Sequence, residues 1–153
     1  MGPGEPDDDD LLNHAEELGK RIAKNSWSLL TGGRNTGVMN AASKGAFNAG
    51  GTVIGILPGN DRSEMSEYVT IPVVTGMGSA RNFINILSAD LVIVCGMGLG
   101  TASEAALAIK HAKPVVFTYI SPNQLSFFNS LSSKKLFISD KPDEIIRQVK
   151  NLL

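Results

Sequence analysis

The chain has 153 residues, which is the size of one domain with a single hydrophobic core. Its formal net charge is -1 at pH 7 and its basic residues form no stripe, so no nucleic-acid partner is expected. A single cysteine, Cys95, excludes an intramolecular disulfide and fits a reducing compartment. No apolar run is long enough to span a bilayer, and the Gly-, Pro- and Asp-rich N-terminus is unlike a signal peptide. We therefore expect a cytoplasmic protein with no membrane partner.

Helical and strand-like patterns alternate along the chain. Leu11, Ala15 and Leu18 share one face of a first helix, and the acidic run 7–10 suits the positive end of its dipole. We interpret that run as a solvated helix start rather than a metal site. The alternation predicts an α/β protein, a single Rossmann-like domain over residues 1–153 with a mainly parallel sheet flanked by helices. Strands are predicted at 27–30, 52–57, 68–75, 91–95, 114–119 and 136–139, and further helices at 36–48, 79–88, 101–111 and 142–152.

The start of the chain departs from this pattern. Folds of this class normally open with a strand, whereas Met1-Gly2-Pro3-Gly4 resembles the loop that follows one. Either the first strand is missing or the sheet is completed in another way. A missing first strand is the preferred interpretation, and it would lower stability or require a compensating contact with another subunit.

The strongest local motif runs from the strand at 91–95 through a glycine-rich turn, residues 96–101, into a helix. The unpaired N–H groups of a first helical turn and the helix dipole together attract anions. Gly98, Leu99 and Gly100 bring such backbone close to a ligand, and the Thr101 hydroxyl adds a donor. The motif therefore predicts a phosphate site, with plain turn packing as the alternative. It is not a Walker loop, because no lysine follows the last glycine.

Glu104 follows one turn into the same helix. It is either a surface carboxylate that complements the helix dipole or a group at the mouth of the site. In the second case it could act as a general base or hold a ribose or pterin. Arg81, close behind Ser79, begins another predicted helix, where the dipole disfavours a cation. Pairing with a ligand phosphate or with Glu104 would explain its position, and a surface or interface salt bridge is the alternative.

A second glycine-rich turn follows the strand at 27–30. Gly32, Gly33 and Arg34 repeat the order of strand, glycine turn and helix, and Arg34 could supply a second positive contact. Two such turns close together would suit a ligand with a phosphate at one end and polar or anionic groups at the other.

The residues that could bind a metal or react as nucleophiles are few. Cys95 is interpreted as a small buried strand residue; a reactive thiol or a thiolate ligand is the alternative. His14 and His111 lie on separate helices, without Cys, Asp or Glu at metal-ligand spacing. No metal site formed by protein ligands is therefore expected.

Several motifs, taken in order, resemble a known superfamily. Thr31-Gly32-Gly33, the segments 49–55 and 98–104, and Arg81 are similar to proteins once described as possible lysine decarboxylases. Their members include cytokinin-activating phosphoribohydrolases of the LONELY GUY type, which carry Pro-Gly-Gly-x-Gly-Thr-x-x-Glu and an upstream Arg-Lys pair. In those enzymes the Arg and the Glu are catalytic, which implies the roles of Arg81 and Glu104 if this chain is such an enzyme.

A closer resemblance is to the molybdenum cofactor carrier proteins of algae and cyanobacteria. It rests on segments 1–4, 29–34, 75–81 and 96–104, which follow in the same order with similar spacing. Asn82 stands where the enzymes have the lysine of the Arg-Lys pair, and Gly96-Met97 replaces Pro-Gly. Both departures agree with the carrier pattern.

The carrier resemblance implies a homo-oligomer, a tetramer or dimer, with molybdenum cofactor as bound cargo. The protein would protect this phosphate-bearing small molecule without converting it and could deliver it to molybdoenzymes. A nucleoside 5′-monophosphate phosphoribohydrolase is the alternative. On the carrier hypothesis no residue is catalytic, and the expected cofactor-binding residues are Gly32, Gly33, Arg34, Ser79, Arg81, Gly98, Leu99, Gly100, Thr101 and Glu104.

Overall fold

The protein is an α/β domain in a computed structural model that describes residues 1–6 and 8–153. Asp7, part of the acidic run assigned to the helix start, lies outside the described residues. The strands are β1 (Leu29–Thr31), β2 (Val53–Leu57), β3 (Ile71–Val74), β4 (Val92–Cys95), β5 (Val115–Thr118) and β6 (Phe137–Ile138). The helices are α1 (Asp9–Lys24), α2 (Gly37–Asn48), α3 (Arg81–Ser88), α4 (Leu99–Lys110), α5 (Pro122–Leu131) and α6 (Pro142–Leu152), and a 3-10 turn, Gly78–Ala80, leads into α3.

The strands pair in parallel in two three-stranded groups, in the orders β1-β2-β3 and β4-β5-β6. Helices α2, α4 and α5 supply the crossovers of the pairs β1–β2, β4–β5 and β5–β6, whereas residues 58–70 join β2 to β3 without a helix. The predicted α/β class with a mainly parallel sheet is confirmed. Met1 extends the β4 side of the sheet: its amino group donates to the Ile93 carbonyl oxygen at 2.6 Å. The Cys95 N–H in turn donates to the Met1 carbonyl oxygen at 2.8 Å.

Both faces of the β4–β5 sheet are covered by helices. On one face Cys95 and Val116 pack with apolar residues of α1, α2 and α6. On the other face Val94 and Phe117 pack with residues of α3, α4 and α5. Coverage on both faces explains why these strands read as unbroken apolar runs instead of alternating patterns.

Several predicted bounds shift by two or three residues, and two differences, at α5 and α4, change how a segment is assigned. Helix α5 was not predicted; it begins with Pro122 and is held at its start by a capping box between Ser121 and Gln124. Helix α4 begins at Leu99, two residues before the predicted start at Thr101, with Gly98 as its N-cap. The predicted turn residues 99–101 are therefore the first turn of a helix.

Helices α1 and α2 approach each other at glycines. A methyl group at Gly19 would overlap the Ala42 carbonyl oxygen, and one at Gly45 would overlap the Glu16 carbonyl oxygen. The missing side chains thus let the two backbones touch. In the described part of the chain, no helix combines the length and the apolar character that crossing a membrane requires.

Candidate functional site

A cavity of about 420 Å³ opens at the carboxyl ends of β1 and β4. Ligands of open α/β sheets bind at this edge, in the crevice where the strand order changes direction. The structure brings the predicted binding residues together there, with the exception of Gly33. Those that line the cavity are Gly32, Arg34, Ser79, Arg81, Gly98, Leu99, Gly100, Thr101 and Glu104.

The first turn of α4 presents unused hydrogen-bond donors to this cavity. Gly98, its N-cap, has extended backbone and offers no side-chain cap, and no acidic residue stands in the first turn. The Thr101 side chain is buried, and its hydroxyl has no hydrogen-bond partner among the described residues. A buried hydroxyl without a partner is costly. An anion held by this turn would satisfy both the hydroxyl and the backbone N–H groups.

Gly100 faces open space. A methyl group built at this position would meet no heavy atom within 4 Å, so nothing inside the described chain requires glycine there. The neighbouring Leu99 side chain is 96% exposed. The first turn of α4 is therefore accessible, and a side chain at position 100 would alter the space before it without disturbing the core.

Arg81 is a buried cation beside the α4 turn. Its side chain is packed against Gly32, where a methyl group would overlap the guanidinium, and its Nη1 donates to the Ile56 carbonyl oxygen at 2.8 Å. Burial lowers the pKa of Arg81, the nearby Glu104 carboxylate opposes that change, and the positive Arg34 adds to it. Since the residue is only 8% exposed, it is not part of a surface salt bridge.

Glu104 is buried rather than on the surface, and Asn85 holds it in place. The Asn85 side chain, on α3, donates from Nδ2 to Glu104 Oε1 at 2.9 Å. The amide oxygen of the same Asn85 is buried without a partner among the described residues. This pair ties α3 to α4 and fixes one carboxylate oxygen on the wall of the cavity.

Arg34 and Gly33, which follow Gly32 in the second glycine turn, have different positions. Arg34 lies on the cavity wall, with its Nε 3.1 Å from Glu64 Oε2 in a half-exposed ion pair. Gly33 has a φ of +73° and packs against the backbone of Gly55, so it shapes the turn and does not line the cavity.

Some residues of the crevice were not among the predicted site residues. The N-terminal loop, residues 1–4, forms part of the wall, and the Pro3 carbonyl oxygen accepts from the Val38 N–H at 3.1 Å. The two glycines of this loop, on either side of a proline, were the sequence signal from which a role in the site could have been predicted. Asn82 also lines the cavity and donates from Nδ2 to Ser103 Oγ at 2.9 Å. This α3–α4 contact has no sequence signal, since the residues are distant in the chain.

Cys95, which lines the cavity, and His14 are both buried. Burial raises the pKa of the Cys95 thiol to about 12, which keeps it protonated at neutral pH. His14 Nε2 lies 2.9 Å from Thr118 Oγ1, and burial lowers the pKa of this histidine. His111 packs its ring on Phe83, with ring centroids 5.2 Å apart.

A crevice at the carboxyl ends of β1 and β4, beside a free helix start and a buried arginine, is typical of a Rossmann-like domain that binds an anionic ligand. Comparison with known proteins gives the family. The chain belongs to the SLOG cluster4 family, whose model matches residues 1–146.

Solved structures of similar proteins cover almost all of the chain. It is similar to the molybdenum cofactor binding protein from Rippkaea orientalis, with 47% identity, a TM-score of 0.96 and coverage of 99% of this chain and 93% of that chain. It is also similar to the molybdenum cofactor carrier protein from Chlamydomonas reinhardtii, with 49% identity, a TM-score of 0.93 and coverage of 99% of this chain and 94% of that chain. The resemblance to the carrier proteins inferred from the motifs is thereby confirmed.

Two curated relatives are also similar. One is an uncharacterised protein from Archaeoglobus fulgidus, 40% identical over 75% of this chain and 74% of its own length. The other is a cytokinin riboside 5′-monophosphate phosphoribohydrolase from Rhodococcoides fascians, 39% identical over 59% of this chain and 47% of its own length. The phosphoribohydrolase therefore matches a smaller part of the chain than the carrier structures do.

Proposed function

We propose that this protein binds molybdenum cofactor as cargo and carries it without chemical conversion. The observation that carries the proposal is the free first turn of α4, with the unpartnered Thr101 hydroxyl, in one crevice with the buried Arg81. Support comes from the two similar structures, described as molybdenum cofactor binding or carrier proteins, at 47% and 49% identity.

The chemistry of the cargo fits the donors of the crevice. Molybdopterin has a terminal phosphate, a polar pterin and a dithiolene that binds an oxo-molybdenum group. We place the phosphate at the first turn of α4, where backbone N–H groups and Thr101 can donate to it. The oxo-molybdenum end is placed near Gly32 and Arg34, which lie on the same cavity wall. Arg81, packed against Gly32, adds a fixed positive charge to the same cavity.

The alternative function is hydrolysis of a nucleoside 5′-monophosphate at its N-glycosidic bond. Arg81 and Glu104 both line the cavity, as that reaction would require, and the enzyme from Rhodococcoides fascians is a relative. Asn82 disfavours it, because this residue replaces the lysine of the enzyme motif and its amide is used in a bond to Ser103. Met97 replaces the first glycine of the other enzyme motif, Pro-Gly-Gly-x-Gly-Thr-x-x-Glu.

The proposal includes the setting in which the carrier works. Its recipients are molybdoenzymes, its compartment is the cytoplasm, and it acts as a homo-oligomer, a dimer or tetramer. Exposed apolar side chains on α3 support the last point: Phe83 and Leu87 are 42% and 47% exposed.

Cargo binding is tested with Gly100→Val. A methyl group at this position would meet no heavy atom within 4 Å, and a valine side chain narrows the space before the α4 turn. The variant should therefore fold and bind cofactor at least about tenfold more weakly, which corresponds to the loss of one or more charged hydrogen bonds. Ala106→Val, on the exposed face of the same helix, is the matched control and should bind normally. The measurement is molybdenum and pterin fluorescence retained by the protein after gel filtration. Equal retention by both variants would place the ligand elsewhere.

An assay of substrate turnover distinguishes the carrier function from the phosphoribohydrolase function. The protein is incubated with AMP and with cytokinin riboside monophosphates, and ribose 5-phosphate is assayed. We expect no release of ribose 5-phosphate. We also expect molybdenum cofactor to be oxidised more slowly in the presence of the protein. Release that disappears in Glu104→Gln would overturn the pure carrier function, since turnover that depends on this carboxylate belongs to this protein and not to a contaminant.

A further inference from the structure

Arg34 already has an anionic neighbour within the protein. Its side chain lies on the wall of the ligand crevice, and its Nε lies 3.1 Å from Oε2 of Glu64. Glu64 belongs to the segment 58–70, which joins β2 to β3 without a helix, and it was not among the predicted site residues. A carboxylate at this position opposes the binding of any anion to Arg34, because like charges repel.

Backbone hydrogen bonds fix Glu64 beside the second glycine-rich turn. The Asn35 N–H donates to the Glu64 carbonyl oxygen at 2.9 Å. The Ser66 N–H donates to the Gly33 carbonyl oxygen at 2.9 Å. Between these bonds, Arg34 forms an isolated antiparallel bridge with the segment. The Glu64 backbone is therefore held opposite Arg34, while its side chain, 59% exposed, can turn into water.

The contact between these two side chains is an ion pair without a directed hydrogen bond. Arg34 Nε is buried and has no hydrogen-bond partner among the described residues, although the Glu64 oxygen is 3.1 Å away. A buried N–H without an acceptor is costly, and a half-exposed ion pair adds little to stability. An oxygen atom of a ligand could accept from this N–H, which the Glu64 carboxylate leaves unused.

The crevice has two arginines, and a carboxylate lies close to each of them. The carboxylate near Arg81 is that of Glu104, which is only 7% exposed and accepts a hydrogen bond from Asn85, so it stays in place when a ligand enters. Glu64 is different, since among the described residues its exposed carboxylate has only Arg34 as a partner. Glu64 is therefore the carboxylate that a ligand can displace.

We infer that Glu64 is an internal counter-ion of Arg34, which a negatively charged group of the ligand displaces. A neutral polar group could accept one hydrogen bond from Arg34 but could not replace the charge of the carboxylate. An oxoanion replaces that charge, and its several oxygens suit the guanidinium, including the unused Nε–H. Glu64 is thus a specificity-determining residue, because it restricts this end of the crevice to a ligand with an oxoanion group.

The inference deepens the proposed function and rests on it in taking the crevice as the ligand site. It requires two anionic groups in the cargo: one for the first turn of α4 and a second for Arg34. The same contact favours release, since the Glu64 carboxylate returns to Arg34 as the ligand leaves. Without Glu64, Arg34 would be an unpaired cation that holds an anion more tightly.

The test measures the binding of molybdate, a small oxoanion, by isothermal titration calorimetry at low ionic strength, where charges are least screened. Four proteins are compared: the wild type, Glu64→Gln, Arg34→Gln and the double variant. Glutamine has nearly the shape of glutamate, and the hydrogen bond at residue 64 that holds the segment is made by its backbone, so the fold should be kept. Glu67→Gln is the matched control, because it removes the same charge from an exposed position of the same segment.

Glu64→Gln should bind molybdate at least about fivefold more tightly than the wild type, because a negative charge next to the anion is removed. In the Arg34→Gln background the same change should alter the affinity by less than about twofold, because no arginine is released and water screens the exposed carboxylate. Glu67→Gln should bind as the wild type does. Equal affinity of the wild type and Glu64→Gln, an equal gain with and without Arg34, or no molybdate binding by either protein would overturn the inference.

This binding measurement separates the role of Glu64 from the proposed cargo. Molybdate carries neither pterin nor phosphate, so the effect of Glu64 is measured without the cofactor. Loss of cofactor retention with the molybdate result intact would reject the cargo alone. Normal retention of the cofactor with no effect of Glu64→Gln would reject the displacement of Glu64 alone.

Discussion

Arg81 is a cation in a position that is unfavourable for a positive charge. It begins α3, where the helix dipole disfavours a cation, and it is almost fully buried. The Ile56 carbonyl oxygen accepts one of its N–H groups, and the Glu104 carboxylate is close enough to favour its charged form. Gly32 leaves the space that the guanidinium fills. The charge is thus held rigidly, ready for an anion, because moving it would cost its hydrogen bond and its packing.

A pH dependence of stability is expected from His14. Burial lowers the pKa of His14 in the folded protein from its ordinary value of 6.5, with a smaller opposing effect of Asp140. As the pH falls, His14 is therefore protonated at a higher pH in the unfolded chain than in the folded protein. Above pH 6.5 His14 is neutral in both states and does not reduce the free energy of unfolding. As the pH falls from 6.5 through the lowered pKa, the free energy of unfolding decreases by no more than about 1.4 kcal/mol per pH unit.

The measurement is the free energy of urea unfolding between pH 5 and 8, for the wild type and for His14→Gln. Glutamine keeps a polar group near Thr118 Oγ1, to which His14 is hydrogen-bonded, and it does not titrate. The variant should lose less stability than the wild type as the pH falls below 6.5. An equally steep loss in both proteins would contradict the assignment to His14.

At the scale of elements, the contact between α1 and α2 depends on side chains that are absent. Gly19 and Gly45 each lie against a carbonyl oxygen of the other helix. Glycine in a helix interior normally costs about 0.5–1 kcal/mol relative to alanine. This cost is offset here because close backbone contact buries the two helices together over the sheet.

Gly45→Ala should therefore destabilise the protein, although alanine is the better helix former. Its methyl group would overlap the Glu16 carbonyl oxygen, so the helices would have to separate, at a cost of about 1–3 kcal/mol. Gly100→Ala, in the first turn of α4, meets no neighbouring atom and is the matched control, with a stability equal to or above that of the wild type. Thermal unfolding of both variants checks this. A Gly45→Ala variant as stable as Gly100→Ala would show that α1 and α2 can move apart freely.

At the scale of the whole molecule, the sequence was sufficient where local pattern determines structure. The apolar runs predicted the β4 and β5 strands, and the glycine-rich turns after β1 and β4 predicted which residues meet at the carboxyl edge. Helix α5 was missed because its apolar pattern is weak and its start depends on the capping box of Ser121. The bond between Asn85 and Glu104 was not predictable, since it requires knowing how α3 packs on α4.

The exposed apolar face of α3 leads to the last prediction, on assembly. Phe83 and Leu87 lie one helical turn apart, 42% and 47% exposed, and paired apolar exposure of this kind is typical of an interface. Phe83→Glu with Leu87→Glu would place two like charges across a symmetric contact, so the oligomer should dissociate. Light scattering after gel filtration measures the mass. Ser130→Glu with Ser133→Glu adds the same charge on another exposed surface and should leave the mass unchanged. A wild-type mass in the α3 variant, or a wild type that is monomeric at every concentration, would exclude this face as the contact.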